Sequence, residues 1–254
     1  MILLLGGTSE TYPVARELSD AGHDVLVSTA TDLPLSLPDS DRISRRAGPL
    51  NAETMAELVR ERDIRLIVDV THPYAAEVSR NAVSAAHATN VPYLRLERAP
   101  VIEPAEDVFF ADTHARAAAL ACRWSEPILT TIGTRNLAPY AGEARRHGIE
   151  LFSRVLPAES AVRACRQAGV DPDHQIQARG PFSVKQNRRH LREHDIGVLV
   201  TKDSGRPGGT LQKLEAARAE RCVVVALRRP TLPAQNACHS VEKLVERVER
   251  AITP

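Results

Sequence analysis

The sequence predicts an α/β protein built as two Rossmann-like, doubly wound lobes of parallel sheet around a central cleft. Short apolar runs alternate with helical stretches along the whole chain, as in parallel strands joined by right-handed crossovers. The runs are apolar at every position, the mark of strands covered on both faces. Two of them, 2–5 and 197–200, stop at glycine-rich turns that open into helices. Unpaired backbone N–H groups at such a place suit an anion.

Ile2-Leu3-Leu4-Leu5 is the first strand, Gly6-Gly7-Thr8-Ser9-Glu10 the turn, and a helix follows through residue 18. The turn is not GxGxxG, because the two glycines are adjacent and Thr11 stands in the place of a third. Alone it does not specify a dinucleotide. The second strand, 24–28, ends in Ser28-Thr29 without the carboxylate that bonds a ribose in NAD-binding Rossmann domains. Arg45-Arg46 follow in the third strand. Hydroxyls and arginines suit a 2′-phosphate; the alternative is that the arginines are a solvated edge.

A helix over 52–62 leads to strand 66–69, which runs on into Thr71-His72-Pro73. Ligands bind at such strand ends in open α/β sheets, and Pro73 holds His72 extended. Helix 75–88 and strand 91–96 complete the first lobe, with Arg95 and Arg98 at the junction. Two prolines and three acids over 99–107 mark a boundary, giving lobes of 1–100 and 101–254.

The second lobe repeats the plan, with helix 114–124, strands 128–132 and 149–155, helix 158–168, strand 175–178 and helix 182–192. Then comes the stretch richest in chemistry. Strand 197–200 stops at Thr201-Lys202-Asp203-Ser204, and Gly205, Pro207, Gly208 and Gly209 forbid regular structure before helix 211–218. Lys202 and Ser204 beside that turn favour a ligand site over a plain βα connection. Strand 222–227 and helix 240–251 end the chain.

Composition removes several classes. Aromatic content of 4% argues against a base-stacking nucleic-acid surface. No apolar run approaches the roughly 20 residues of a membrane span, and Met1 leads into a strand rather than a signal peptide. Cys122, Cys165, Cys222 and Cys238 form no CxxC pair. They suit a reduced, cytoplasmic protein and no metal site. Net charge is +1, yet residues 1–100 sum to −4 and 101–254 to +5. Only four of 33 cations are lysine, and arginine grips carboxylates and phosphates in bidentate fashion. There is no GxxxxGK[ST], Ser204 lacks a G-x-S-x-G frame, and no tyrosine has lysine four residues on. P-loop, hydrolase and short-chain dehydrogenase chemistries are therefore disfavoured.

Thr201-Lys202-Asp203-Ser204-Gly205 with Gly208-Gly209 and Lys213 resembles the C-terminal signature of precorrin-6A reductases. Gly6-Gly7-Thr8-Ser9-Glu10, Asp69-Val70-Thr71-His72-Pro73-Tyr74-Ala75 and Gly180-Pro181-Phe182-Ser183 with Asn187 fit the same family in the same order. The resemblance implies hydride transfer from NADPH to a macrocycle double bond of precorrin-6A, giving precorrin-6B in the corrin (vitamin B12) pathway. It also implies two lobes that can exchange elements, which periodicity does not reveal. Cofactor contacts are expected from Gly6, Gly7, Thr8, Ser9, Ser28, Thr29, Arg46, Thr71, His72, Thr201, Lys202, Ser204 and Gly205. The polycarboxylate substrate is expected on Arg95, Arg98, Arg179, Lys185 and Arg188. No residue stands out as a proton donor; His72, Asp203 and Glu10 are candidates beside water and the substrate. Two alternatives stay open: an NADH-dependent reductase of the cobalt-containing substrate, and a non-enzymatic two-lobed nucleotide- or metabolite-binding module.

Overall fold

A computed structural model of the chain describes residues 1–231 and 236–252. Twelve strands are found among them: β1 (Ile2–Leu5), β2 (Val25–Thr29), β3 (Ile43–Ala47), β4 (Leu66–Asp69), β5 (Tyr93–Leu96), β6 (Val108–Ala111), β7 (Ile128–Thr130), β8 (Leu151–Val155), β9 (Gln175–Gln177), β10 (Val198–Lys202), β11 (Val223–Leu227) and β12 (Ala237–Cys238). They form two six-stranded sheets, ordered β12-β5-β4-β1-β2-β3 and β6-β11-β10-β7-β8-β9. Every strand pair within them is parallel.

Each sheet runs outward in both directions from a central strand, β1 in one and β7 in the other, the doubly wound arrangement. The direction of winding reverses between β1 and β4 in one sheet and between β7 and β10 in the other. Ligands of open α/β sheets bind beyond the carboxyl ends of strands at such a switch point.

The helices are α1 (Thr11–Asp20), α2 (Ala52–Glu61), α3 (Ala76–Thr89), α4 (His114–Ala121), α5 (Ala138–His147), α6 (Glu159–Ala168), α7 (Val184–Glu193), α8 (Thr210–Ala219) and α9 (Val241–Ile252). They cover both sheet faces. In β1 the strand's period of two splits one apolar run between two cores. Ile2 and Leu4 pack with Val14 and Leu18 of α1 and with α9, while Leu3 and Leu5 pack with Met55 and Val59 of α2 and Ala82 of α3.

The chain divides into two compact units. One is Met1–Ala99 together with the C-terminal segment from Pro230; the other is Pro100–Arg229. The expected second lobe of 101–254 is corrected accordingly. β12 pairs in register with β5, Ala237 opposite Arg95 and Cys238 opposite Leu96, and α9 buries Leu244 and Val248 in the first unit's core. The second sheet's outer position beside β11 is filled instead by β6, which precedes the rest of its unit in sequence. A two-residue strand carries too little pattern to announce such a rearrangement. β6 was likewise not foreseen, nor was α5, whose Pro139 and Gly142 hide a helix that packs Tyr140, Ala141 and Ala144 inward.

Leu244 is fully buried, so Leu244→Ala removes transfer energy and leaves a cavity. We expect a loss of about 2–5 kcal/mol, measured by urea unfolding. A wild-type denaturation curve would contradict the placement of α9 in the first unit's core.

Candidate functional site

At the first switch point the glycine turn leaves β1 and enters α1. A Cβ on Gly6 would stand 2.7 Å from Thr11 Cγ2, so glycine is required there because Thr11 is packed beneath the turn. Thr11 is fully buried. Its Oγ1 accepts hydrogen bonds from Gly7 N at 3.0 Å and Thr8 N at 3.1 Å. Two of the turn's amides are thereby engaged inside it and not offered to an anion. Thr8 Oγ1 donates to the Val70 carbonyl at 2.7 Å, tying the turn to the segment that follows β4. On the rim, Arg98 pairs with Glu10 and donates to Ser9 Oγ at 3.2 Å. Burial alone would raise the Glu10 carboxyl, but Arg98's hydrogen bond and charge outweigh it and hold it below the usual carboxylate range.

β4 ends on Asp69, which has no exposed surface. Its Oδ1 accepts from Thr71 N at 2.9 Å and Thr71 Oγ1 at 2.6 Å, and its Oδ2 from Ser79 Oγ and Tyr93 OH, both at 2.7 Å. The Arg95 guanidinium completes the set on Oδ2. Burial, then the Asp69 charge, pushes the Tyr93 phenol well above its ordinary range. Burial works against the charge on Arg95, but Asp69 and Tyr93 outweigh it and the guanidinium stays firmly protonated. The network fixes the loop carrying His72, whose Nδ1 accepts from Tyr74 N at 3.3 Å.

Beside this point, β2 and β3 end in register, Ser28 opposite Arg46. Arg46 Nη1 donates to Ser28 Oγ at 2.8 Å and to the Gly48 carbonyl at 3.0 Å. Arg45 turns the other way, onto Thr29 Oγ1, the Leu33 carbonyl and, at 3.6 Å, the exposed carboxylate of Asp32.

The second switch point is differently furnished. Lys202, the last residue of β10, donates to the Ile132 carbonyl at 3.0 Å. Lys213 of α8 donates to Thr201 Oγ1 at 3.0 Å, and Thr131 Oγ1 lies 3.1 Å from the same hydroxyl. Arg154 of β8 is buried, bonded to Asn187 Oδ1 at 2.7 Å and set 4.1 Å over the Phe182 ring. Neither Arg154 nor Lys213 makes an ion pair among the described residues. Burial pushes Arg154 down to about 10. Burial, then the charge of Arg154, pushes Lys213 down to about 7. Lys202 is lowered as well, by burial and then Arg135, and His114 falls to about 4 through burial and the Lys202 charge. Asp203 anchors the site from below. Its carboxylate accepts from Val101 N at 2.8 Å, Ile102 N at 3.0 Å and Gly205 N at 3.0 Å, and pairs with Arg229 at 3.2 Å. Ser204 N is held by Thr210 Oγ1 at 3.1 Å.

The thirteen residues expected around the cofactor thus fall into two groups. Gly6, Gly7, Thr8, Ser9, Ser28, Thr29, Arg46, Thr71 and His72 gather at one switch point, in the first unit. Thr201, Lys202, Ser204 and Gly205 belong to the other unit. The five expected substrate cations do not form one cluster. Arg95 is only 3% exposed and bound to Asp69, so it serves the fold rather than a ligand, and that assignment is corrected. Arg98 holds Glu10, while Arg188 and Arg192 share Glu220. Arg179 and Lys185 are exposed. Arg154 escaped notice because an arginine inside an apolar strand carries no motif; its partner Asn187 was the available signal. No group of three or more His, Cys, Asp or Glu placed to hold a metal occurs among the described residues, and no helix there is long and apolar enough to cross a membrane.

Two doubly wound units with polar switch points place the chain among two-unit Rossmann-like proteins. Comparison with known proteins narrows this to reductases. The family model described as precorrin-6x reductase CbiJ/CobK matches residues 1–249. The chain is 38% identical to the precorrin-6A reductase of Rhodococcus erythropolis, over 91% of this chain and 90% of that one. It is 30% identical to the cobalt-precorrin-6A reductase of Priestia megaterium, over 96% of each. The solved structure of CobK precorrin-6A reductase superposes with a TM-score of 0.82 at 27% identity, covering 99% of this chain and 97% of that one. The chain belongs to the precorrin-6x reductase family.

Replacing Asp69 by Asn leaves the buried Arg95 guanidinium without its counter-charge, a loss of about 3–5 kcal/mol. Denaturant unfolding of Asp69→Asn measures it. Stability within about 1 kcal/mol of wild type would show that the network is not what holds the loop after β4.

Proposed function

We propose that this reductase uses NADPH to reduce precorrin-6A in the pathway to cobalamin, with the dinucleotide on the first unit and the macrocycle on the second. The contrast between the two switch points carries this assignment. The first offers adjacent glycines, the hydroxyls of Ser9, Ser28 and Thr29, and Arg46, the furniture of a dinucleotide site. A Cβ on Gly7 would meet no atom within 4 Å, which leaves open space for a ligand's approach. The second has no glycine pair after β7. At β8, which corresponds to the ribose-binding strand of the first unit, it has a buried arginine instead. Lysines and arginine there suit the carboxylates of an acidic tetrapyrrole. On this assignment Thr201, Lys202, Ser204 and Gly205 serve the substrate rather than the cofactor.

The residues fit a bound nicotinamide dinucleotide with one adjustment. Thr11 already engages the amides of Gly7 and Thr8, so pyrophosphate oxygens must draw on Ser9 and on Arg98, which neutralises Glu10 at the start of α1. Bound, the reduced nicotinamide supplies a hydride. The protein's own work is orientation and electrostatics. The Asp69 network holds the Thr71–Tyr74 loop, and the second unit's cations neutralise macrocycle carboxylates. That the reaction takes place on a polyanion explains why Arg154 and Lys213 are kept buried without a counter-ion among the described residues, since burying a charge without an opposite one is costly.

Arg46 at the end of β3 is the residue that would read a 2′-phosphate. Asp32 beside Arg45 favours NADH, and the relative from Priestia megaterium is a cobalt-precorrin-6A reductase. Steady-state kinetics with both nucleotides and with metal-free and cobalt substrates separates these. We expect higher kcat/KM with NADPH and precorrin-6A, and Arg46→Ala should shrink the nucleotide preference by about tenfold or more, as one charge-assisted hydrogen bond of about 1.5–3 kcal/mol requires. Equal kcat/KM for the two nucleotides, unchanged by Arg46→Ala, would overturn the 2′-phosphate assignment.

A further inference from the structure

We propose that Lys213 is the proton store of the reduction, passing its proton to the macrocycle through the hydroxyls of Thr201 and Thr131. The inference rests on the function proposed above. Saturating a double bond needs a hydride and a proton, and the sequence offered His72, Asp203 and Glu10 as donors beside water and the substrate. Glu10 is held as a carboxylate by Arg98. The Asp203 carboxylate accepts three backbone amides and an arginine. The His72 Nδ1 accepts the Tyr74 amide, which leaves Nε2 as the ring's only proton carrier in the neutral form.

Lys213 differs from all three. It lies on the first turn of α8 beneath the chain that leaves β10, 7% exposed, with Nζ 3.0 Å from Thr201 Oγ1. Thr201 has no exposed surface, whereas Thr131, 3.1 Å further on, is part-exposed at the carboxyl end of β7. Three side chains therefore form a hydrogen-bonded line from the core of the unit to its switch point, with Thr201 Oγ1 accepting from both Lys213 Nζ and Thr131 Oγ1 at rest, so both hydroxyls must turn over for a proton to pass outward. Arg154 on β8 and Lys202 on β10 press their charges on Lys213 and Asp203 pulls the other way; across α7, His190 sits against Arg154 at 3.3 Å. Burial and these neighbours leave the ammonium close to its deprotonation point at neutral pH. A lysine kept only for packing would be served better by an apolar chain of like size, since burying an ammonium costs free energy.

The step balances as follows. The hydride of the reduced nicotinamide brings two electrons and forms one C–H bond while the macrocycle π bond breaks. The adjacent ring carbon takes a proton from the Thr131 hydroxyl, which takes one from Thr201, which takes one from Lys213. Neutral Lys213 regains its proton from water, so each turnover consumes one proton.

Lys213→Met, Thr201→Val and Thr201→Ser in the intact protein test this. We expect NADPH, which is assigned to the other unit, to bind all three with Kd within about twofold of wild type, and turnover is compared at saturating macrocycle. In Lys213→Met and Thr201→Val, kcat falls at least about tenfold, and Thr201→Ser restores it. Wild-type kcat declines as pH rises and Lys213 deprotonates, and Lys213→Met lacks that alkaline limb. Stability gives a readout independent of turnover. Lys213 is depressed in the folded state, so between about pH 7 and 10.5 the unfolded chain binds a proton the folded one has released. Wild-type stability should therefore rise with pH across that window, and Lys213→Met should not show the rise. If Lys213→Met does not fold, Thr201→Val keeps the lysine and still breaks the line. An alkaline limb that persists in Lys213→Met, unchanged kcat in Thr201→Val, or a loss confined to KM would each overturn the proposal. Failure of the underlying function would look different, because wild-type enzyme would then not oxidise NADPH with precorrin-6A at any pH.

Discussion

A carboxylate buried at the carboxyl end of a central strand is the constraint on which each unit depends. Asp69 at the end of β4 gathers Thr71, Ser79, Tyr93 and Arg95. Asp203, one residue past β10, gathers Val101, Ile102, Gly205 and Arg229. The two strands occupy the same place in their sheets. A buried carboxylate is tolerated only when its lone pairs are filled, and filling them forces the following loop into one course. At Asp69 that loop carries His72 and receives Thr8 from the glycine turn. At Asp203 it carries Ser204 and Gly205. The functional edges of both units are thus built on buried ion pairs.

Above these anchors the two edges diverge in charge. The first keeps its arginines engaged, with Arg46 on Ser28, Arg45 on Thr29 and Arg98 on Glu10. The second keeps Arg154 and Lys213 in neutral company, Asn187 and Phe182 for one and Thr201 for the other. Unneutralised buried cations are a standing cost to folding. They also strengthen every interaction with an anion, because the local dielectric is low. The depressed Lys213 and Arg154 express that same strain in their protonation.

Much of this was legible in the sequence where the residue pattern is local. The apolar run Ile2–Leu5, the glycine turn after it and the polar halt at Thr201–Ser204 announce strands and turns by themselves. What was not legible depends on partners distant in sequence. Arg95 looks like a surface cation until Asp69, 26 residues away, is seen to bury it. β12 has too few residues to show a period, and only its pairing with β5 gives it a sheet. Arg154 is an arginine in an apolar strand, and nothing nearby in sequence explains it. Thr11 marked a departure from the dinucleotide fingerprint, yet that its hydroxyl would fill the turn's own amides follows from three dimensions alone.

The central claim is the division of labour, dinucleotide on the first unit and acidic macrocycle on the second. Amide hydrogen exchange followed by mass spectrometry, with each ligand added alone to the intact protein, tests it most directly. NADPH should slow exchange at residues 6–10, 28–31, 45–48 and 70–75 and leave 201–209 unchanged. The macrocycle should protect 131–135 and 201–210. Protection of 201–209 by NADPH without any at 6–10 would contradict the account.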